Sequence, residues 1–495
     1  MNEYSYKQFS KSFVRRNALS YAVDILTSKR NESTCVPRDY VRRIFNYYTL
    51  NEDESSIKSE CLKIEPEYIL EWEHLYDSTV SRKCPSDLSV CYLCGPEPNN
   101  DFLELTSLGI LPRNIWAFES NSATYKTAIS CYENGDFQQP KILKQKIDTF
   151  FEQSQQKFDI VYIDACGSIA SDQHALRCIT SLIKNHRLNS PGVIISNFAE
   201  PDDKTDFYEF LAQFQFSKTS NDYVFSDNGS RIDSPEYRKI FDNTKKEFEQ
   251  SYGEFISYII RDLAGIYIPL QRMTENPYLS QLIDIEQVNS IDNLPLESFS
   301  ELSSGRFISS YYHMKKNGYL NKRIVSLINE IELKEGEIAK AIKLLYAIHN
   351  SSCELKEDIK DIKNYLDNGS SLFQFLDKTD SAILFDIVLN QMSYPFHTNT
   401  KSVRRYRYCA KKTNMYTDIT VLDECRYIYD WLPALHQIKS AFSNPSWQYI
   451  FRFALDGLIK SRYNYNNEFF YKGAVVPSSE EGFENITMKE REIIK

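Results

Sequence analysis

The chain has 495 residues, a formal net charge of −10, 42% hydrophobic residues and 14% aromatic residues. That length exceeds what one hydrophobic core serves, so about two to four domains are expected. The apolar content excludes a disordered chain, and the acidic balance argues against a protein that coats nucleic acid over its whole surface.

Residues 1–80 read as helical, with Arg15 and Arg16 early and a charged loop at 51–60. No secretory signal pattern opens the chain, and its eleven cysteines lack disulfide-like spacing. Reduced thiols and a cytoplasmic location are therefore expected. Residues 81–215 carry four continuous apolar runs: Val90 to Leu93, Ile115 to Phe118, Phe158 to Ile163 and Gly192 to Ile195. A fainter element at 141–147 lies between the second and third. Continuous rather than alternating runs mark parallel strands covered on both faces. Helix-like patterns at 101–108, 123–132 and 174–183 fill the gaps, which predicts βαβ units with right-handed crossovers.

Farther on, 226–235 has turn composition and marks a boundary. Residues 236–290 read as helical, 289–305 as loop, and 321–349 as a long amphipathic helix that packs internally or forms a dimer seam. The most apolar stretch, 255–270, contains Arg261 and Asp262 and is too short to span a bilayer, so no membrane association is expected. Strand-like composition at 385–422 gives way to helices over 423–459, and the polar tail from Pro477 reads as frayed. The expected fold is α/β: a Rossmann-like, mostly parallel sheet with helices on both faces, flanked by mainly helical N- and C-terminal regions. Its divisions are a helical region at 1–80, the Rossmann-like domain at 81–215, a helical region at 216–384 and a mixed strand and helix region at 385–495.

The ends of the runs carry the chemistry. Ligands of open α/β sheets bind outside the carboxyl ends of the strands. Gly95 follows the first run, Glu119 the second, Asp148 the faint element and Asp164 the third long run. A carboxylate can accept two hydrogen bonds from a ribose diol, and a turn glycine lets a ligand approach the backbone closely. Cys91 and Cys94 have the spacing of half a zinc knuckle but no second pair, so no metal is expected.

This order of features resembles the class I S-adenosylmethionine-dependent methyltransferases over roughly residues 85 to 215. The resemblance implies that Cys94, Gly95 and Glu97 form the glycine-rich cofactor turn, that Glu119 binds the ribose hydroxyls, and that Asp148 lies near the adenine. It also implies that Asp164 faces the methyl group, binding cofactor and accepting a hydrogen bond from the attacking amine or hydroxyl. The turn departs from the family pattern: Leu93 replaces an acid and Glu97 takes the place of the second glycine. Asp164-Ala165-Cys166-Gly167 loosely resembles the Asp-Pro-Phe-Gly motif of tRNA guanine-N2 methyltransferases. It also resembles the Asp-Ala-Pro-Cys motif of RNA cytosine-5 methyltransferases, but Ser196-Asn197-Phe198 lacks the second cysteine those enzymes use. Cys166 reads as a small packing residue. The implied function is methyl transfer from S-adenosylmethionine to an amine or hydroxyl of a macromolecular acceptor, RNA foremost, with a protein partner or homodimer in view.

Two other readings stay open. One is an inactive scaffold or partner subunit, on the strength of the altered turn. The other is a nucleic-acid-binding module. Residues 401–412 hold six cations and two tyrosines without an acid. Arg404, Arg405, Arg407, Lys411 and Lys412 would neutralise phosphates, and Tyr406 offers a stacking face. As a strand, the stretch puts Arg405 and Arg407 on one face and Tyr406 and Tyr408 on the other, as an ordinary half-buried edge strand also does. His397 and His436 are assigned no role.

Overall fold

The computed structural model describes residues 9–50, 56–133, 141–165, 167–171, 175–219, 225–226, 229–230, 235–275, 322–331, 357, 360, 364, 393–432, 437, 440, 444–461 and 475–495. Nine strands form one sheet: β1 (Val90–Leu93), β2 (Ile115–Phe118), β3 (Lys141–Leu143), β4 (Phe158–Asp164), β5 (Leu188–Ala199), β6 (His397–Thr398), β7 (Arg404–Ala410), β8 (Thr413–Asp423) and β9 (Glu492–Ile494). The helices used below are α1 (Phe9–Leu26), α2 (Tyr40–Leu50), α3 (Ser56–Cys61), α4 (Pro66–Val80), α5 (Asn99–Ser107), α6 (Ser122–Glu133), α7 (Ile147–Gln153), α8 (Ala175–Lys184), α9 (Thr205–Thr219), α10 (Pro235–Lys246) and α11 (Phe248–Asp262). They continue with α12 (Ile268–Glu275), α13 (Lys322–Ile331), α14 (Arg426–Tyr429) and α15 (Pro445–Ser461).

The strand order is β9-β7-β8-β5-β4-β1-β2-β3, with β6 beside β8. β1 to β5 are mutually parallel. This is the α/β, Rossmann-like sheet expected from the apolar runs. β4 and β5 are buried along most of their length because helices cover both faces. Each fully buried Ile or Val there contributes on the order of 1.5–3 kcal/mol. One face packs under α7, α8, α9 and α11 through Val161, Ile163, Ile194, Phe198 and Phe255, among others. The other packs under α1, α5 and α6 through Ala18, Ala22, Tyr92, Phe102, Ile160 and Ile195. The order reverses between β1 and β4, which opens a crevice at their carboxyl ends.

The sheet does not stop at residue 215, where the sequence places the end of the Rossmann-like region. β8 runs antiparallel to β5 over the pairs from Met415 with Ala199 to Leu422 with Gly192. β7 is antiparallel to β8, and β9 runs parallel to β7. The region 385–495 therefore supplies four strands of the same sheet. The separation in sequence hid this, because nothing local marks which of two distant strands will pair. Residues 1–80 are likewise not a unit of their own. α1 lies on the sheet, whereas α2 and α4 share a separate core with α14, α15 and the segment 475–483. The tail from Pro477, expected to be frayed, buries Phe483 and ends in β9.

Of the predicted long helix at 321–349, α13 is observed and the rest lies outside the described residues, as does most of 216–384 beyond residue 275. The apolar stretch 255–270 begins within α11, and its Phe255, Ile256, Ile259, Ile260, Leu263, Ile266 and Ile268 are buried in the core. Among the described residues, no helix is long and apolar enough to cross a membrane.

Candidate functional site

A cavity of about 600 Å³ fills the crevice at the reversal point, within the size range of small-molecule sites. Its lining includes Cys94, Gly95, Glu97, Glu119, Asp148 and Asp164, all six residues assigned to it from the sequence. Register explains why distant residues meet: Leu93 pairs with Phe118, and Tyr92 with Tyr162, so the ends of β1, β2 and β4 lie level. Cys166 and His436 lie outside the described residues.

The turn after β1 is held from behind. Tyr92 donates to the Pro98 carbonyl at 2.9 Å, and Cys94 N–H donates to Phe118 O at 3.1 Å. Gly95 has φ +55, a left-handed conformation that strains any side chain, and a Cβ there would meet nothing within 4 Å. The backbone thus borders open space, as a cofactor-binding turn requires. Burial, with Glu119 adding to it, pushes the Cys94 thiol up to about 12, so it lines the cavity as a neutral group. Glu97 accepts from Asn100 Nδ2 at 2.8 Å.

Glu119 ends β2, and its Oε1 accepts from Asn121 N–H at 2.6 Å while the Asn121 side chain caps α6. Asp148 does not end a strand as expected. β3 is only three residues long, and Asp148 is the second residue of α7. It is buried, accepts from Thr149 N–H at 2.9 Å, and lies 3.4 Å from Arg177.

Asp164 is engaged through both oxygens. Asn197 Nδ2 donates to its Oδ1 at 2.7 Å, and Lys11 Nζ lies 2.9 Å from its Oδ2. Asn197 is fixed in turn: it donates to the Tyr408 hydroxyl at 3.1 Å and accepts from Thr417 Oγ1 at 2.8 Å. One helical turn beyond Lys11, Arg15 Nε lies 3.1 Å from Asp101 Oδ1. Both atoms are buried, and neither completes a hydrogen bond of good geometry. Burial pushes the Asp101 carboxyl up to about 7; Arg15 and Lys11 oppose that rise, while Asp164 and Glu104 add to it. Lys11, Arg15 and Asp101 were not assigned to the site from sequence. The signal was there in part, because Arg15 shares a face of α1 with buried Val14, Ala18 and Leu19, where a cation needs a partner.

The basic stretch 401–412 falls mainly on β7 and the hairpin turn after it. Its strand β7 lies inside the sheet between β8 and β9. The alternation is as expected, but each face is covered. Arg405 is buried, donating to Glu254 at 2.7 Å and to the Lys489 carbonyl, and Arg407 pairs with Glu249 of α11. Tyr406 is half-buried against the core beneath α1 and Tyr408 is buried. Arg404 stacks 4.8 Å from the Tyr21 ring centroid. Lys411 and Lys412 form the exposed turn of the hairpin. An aromatic and cationic strand in an acidic protein found its partners within the fold.

One cluster outside the cavity has metal-ligand residue types: Cys35, Asp423 and Cys425, all buried. The Asp423 carboxylate accepts from Cys35 N–H, Cys425 N–H, Tyr427 OH and Ser190 Oγ at 2.8 to 3.1 Å. Those four bonds occupy the lone pairs a carboxylate offers, so the cluster is a hydrogen-bond anchor between the segment after α1 and the end of β8.

No family model matches the chain, and no curated protein matches it. Among solved structures it is similar to an S-adenosylmethionine-dependent methyltransferase from Clostridium acetobutylicum ATCC 824. That match has 16% identity over 33% of this chain and 59% of the other, with a TM-score of 0.19. It is also similar to magnesium protoporphyrin IX methyltransferase from Synechocystis PCC 6803 with bound SAM, at 15% identity over 35% of this chain and 81% of the other, again with a TM-score of 0.19. The chain thus spans 59% of the first of these structures.

Proposed function

We propose that the chain is an S-adenosylmethionine-dependent methyltransferase acting on an amine or hydroxyl of a macromolecular acceptor, with RNA the first acceptor to screen. The observation that carries this reading is the convergence of Gly95, Glu119, Asp148 and Asp164 on one cavity at the reversal point of the sheet. The charge of the lining agrees. Glu97, Asp101, Glu119, Asp148 and Asp164 face Lys11, Arg15 and Lys146, an acidic excess that suits a net-cationic sulfonium cofactor.

When bound, the cofactor supplies an electrophilic methyl group. The residues of the chain do the rest. The turn at 94–97 brings backbone against the ligand, and Glu119 accepts hydrogen bonds from the ribose diol. Asp148 closes the adenine end, with Ala175 and Cys178 as the apolar wall beside it. Asp164, held by Asn197, orients the acceptor's lone pair, and positioning of this kind lowers a transfer barrier without any further chemistry. For RNA, the exposed cations of 401–412 are Lys401, Lys411 and Lys412, whereas Arg405 and Arg407 face glutamates.

Calorimetric titration with S-adenosylmethionine tests the reading. Micromolar binding that is lost in Glu119→Ala is expected, while absence of binding in both proteins would leave the sheet as a scaffold. Asp164→Ala is expected to retain cofactor binding and lose transfer; unchanged turnover in that variant removes Asp164 from the mechanism.

A further inference from the structure

We infer that the Asp164 end of the cavity is an ammonium subsite, that Lys11 is its internal occupant, and that the macromolecular acceptor is therefore a primary amine of lysine type, as on a protein, rather than RNA. What the subsite is for rests on the transferase reading; whether it binds an ammonium does not.

Three features support this. First, Asp164 is oriented without Lys11. Its Oδ1 is fixed by Asn197, which Thr417 and Tyr408 clamp from β8 and β7. Lys11 is thus not needed to hold the carboxylate in place; it fills the position the carboxylate prepares. Second, Lys11 reaches Asp164 from the first turn of α1, and both side chains line the cavity with 17% of their surface exposed. An ammonium from outside can reach the same oxygen through the same opening. Third, the surroundings select for positive charge. With Asp101 ionised, the Asp101–Arg15 pair beside it brings no net positive charge, so the second oxygen of Asp164 keeps its own negative charge, which favours a cation over a neutral hydroxyl. Arg15 stays with Asp101 and does not compete for the subsite.

An amine held on Asp164 must lose a proton before it can attack, and the carboxylate or cavity water takes it. A hydroxyl acceptor would have to displace Lys11 from its ion pair and offer only a neutral hydrogen bond in return. An alkylammonium replaces like with like.

The experiment uses n-butylammonium chloride as the probe, with n-butanol and sodium chloride at matched concentration as controls. Truncating Lys11→Ala opens a channel of the probe's own length. Butylammonium is expected to raise the melting temperature of Lys11→Ala by a few degrees, about what mass action gives at ten to a hundred times Kd. Butanol is expected to leave it unchanged. Lys11→Met, which removes the charge but fills the volume, and Lys11→Ala with Asp164→Asn are expected not to respond. Equal shifts in all three variants, or none in Lys11→Ala, overturn the inference. In the unaltered protein, butylammonium is expected to raise acetylation of Lys11 by an N-hydroxysuccinimide ester about threefold, read by peptide mass, as competition frees the amine. Lys126, exposed on α6, serves as the reference; no change at Lys11 relative to it also overturns the inference. Because neither readout involves the cofactor, failure here is separable from failure to bind S-adenosylmethionine.

Discussion

At the scale of single residues, Asp101 shows how a site records its own construction. It is buried at the start of α5, faced by Arg15 and Lys11 of α1, Asp164 of β4 and Glu104 of its own helix. Burial raises its carboxyl to about 7 from an ordinary 3.8. The folded protein therefore holds more protons than the unfolded chain between those two values, and stability falls as pH rises from about 4 to about 7, then levels off. The slope from this one group is at most about 1.4 kcal/mol per pH unit. Asp101→Asn is expected to lose that slope, so that urea midpoints at pH 5 and 7.5 converge relative to the parent protein. An unchanged slope would show that another group titrates in this window. Glu119 and Asp164 were legible as acids that close apolar runs, because that relation is local, whereas Asp148 falls in α7 rather than at a strand's end. The partners of Asp101 and Asp164 on α1 were not, since no local pattern says which strand a helix will cross.

At the scale of elements, β7 shows the limit of alternation as a guide. The pattern of charged and aromatic faces was readable, but which face meets water was not, because the answer lies in α11, some 150 residues away. Glu249 and Glu254 of that helix engage Arg407 and Arg405. Arg405→Met is expected to cost about 2 kcal/mol, since it leaves the Lys489 carbonyl and a half-buried Glu254 without their donor. Arg404→Ala, which loses the stacking on Tyr21, should cost less, about 0.5–1 kcal/mol. Chemical denaturation of the two variants side by side checks the contrast, and equal costs would return β7 to the role of a solvated strand. The helical core makes a parallel case. A Cβ at Gly457 of α15 would stand 2.8 Å from the Tyr40 ring of α2 and 2.9 Å from Val36 Cγ1. Tyr40 is held by a 2.7 Å bond to Asp456, so the ring cannot give way. Gly457→Ala is expected to destabilise by about 1–3 kcal/mol; a neutral result would mean that α2 and α15 separate easily.

At the scale of the whole molecule, the chain's two ends complete a sheet whose middle was evident from the start. α1 lies across β7, and it brings Lys11 to Asp164 and Arg15 to Asp101. The last residues return as β9, beside Arg491, which pairs with the fully buried Asp418 of β8. Asp418 also accepts from Ser257 of α11, so one carboxylate joins three distant parts of the sequence. Removing one partner of a buried ion pair strands the other charge, and Arg491→Ala is therefore expected to cost about 3 kcal/mol or more. The same logic applies to the unit that sequence patterns alone would isolate. Residues 81–215, expressed alone, expose the edge of β5 that β8 covers from Gly192 to Ala199, an open row of strand hydrogen bonds flanked by apolar side chains. That fragment also lacks Tyr408 and Thr417, which fix Asn197, and hence the hold on Asp164. It is expected to aggregate or to melt without a cooperative transition, and co-expression with 393–495 is not expected to rescue it without α1, since α1 packs on both. A cooperative transition at the full chain's melting temperature would mean that the middle stands alone and that the two ends serve the site rather than the fold.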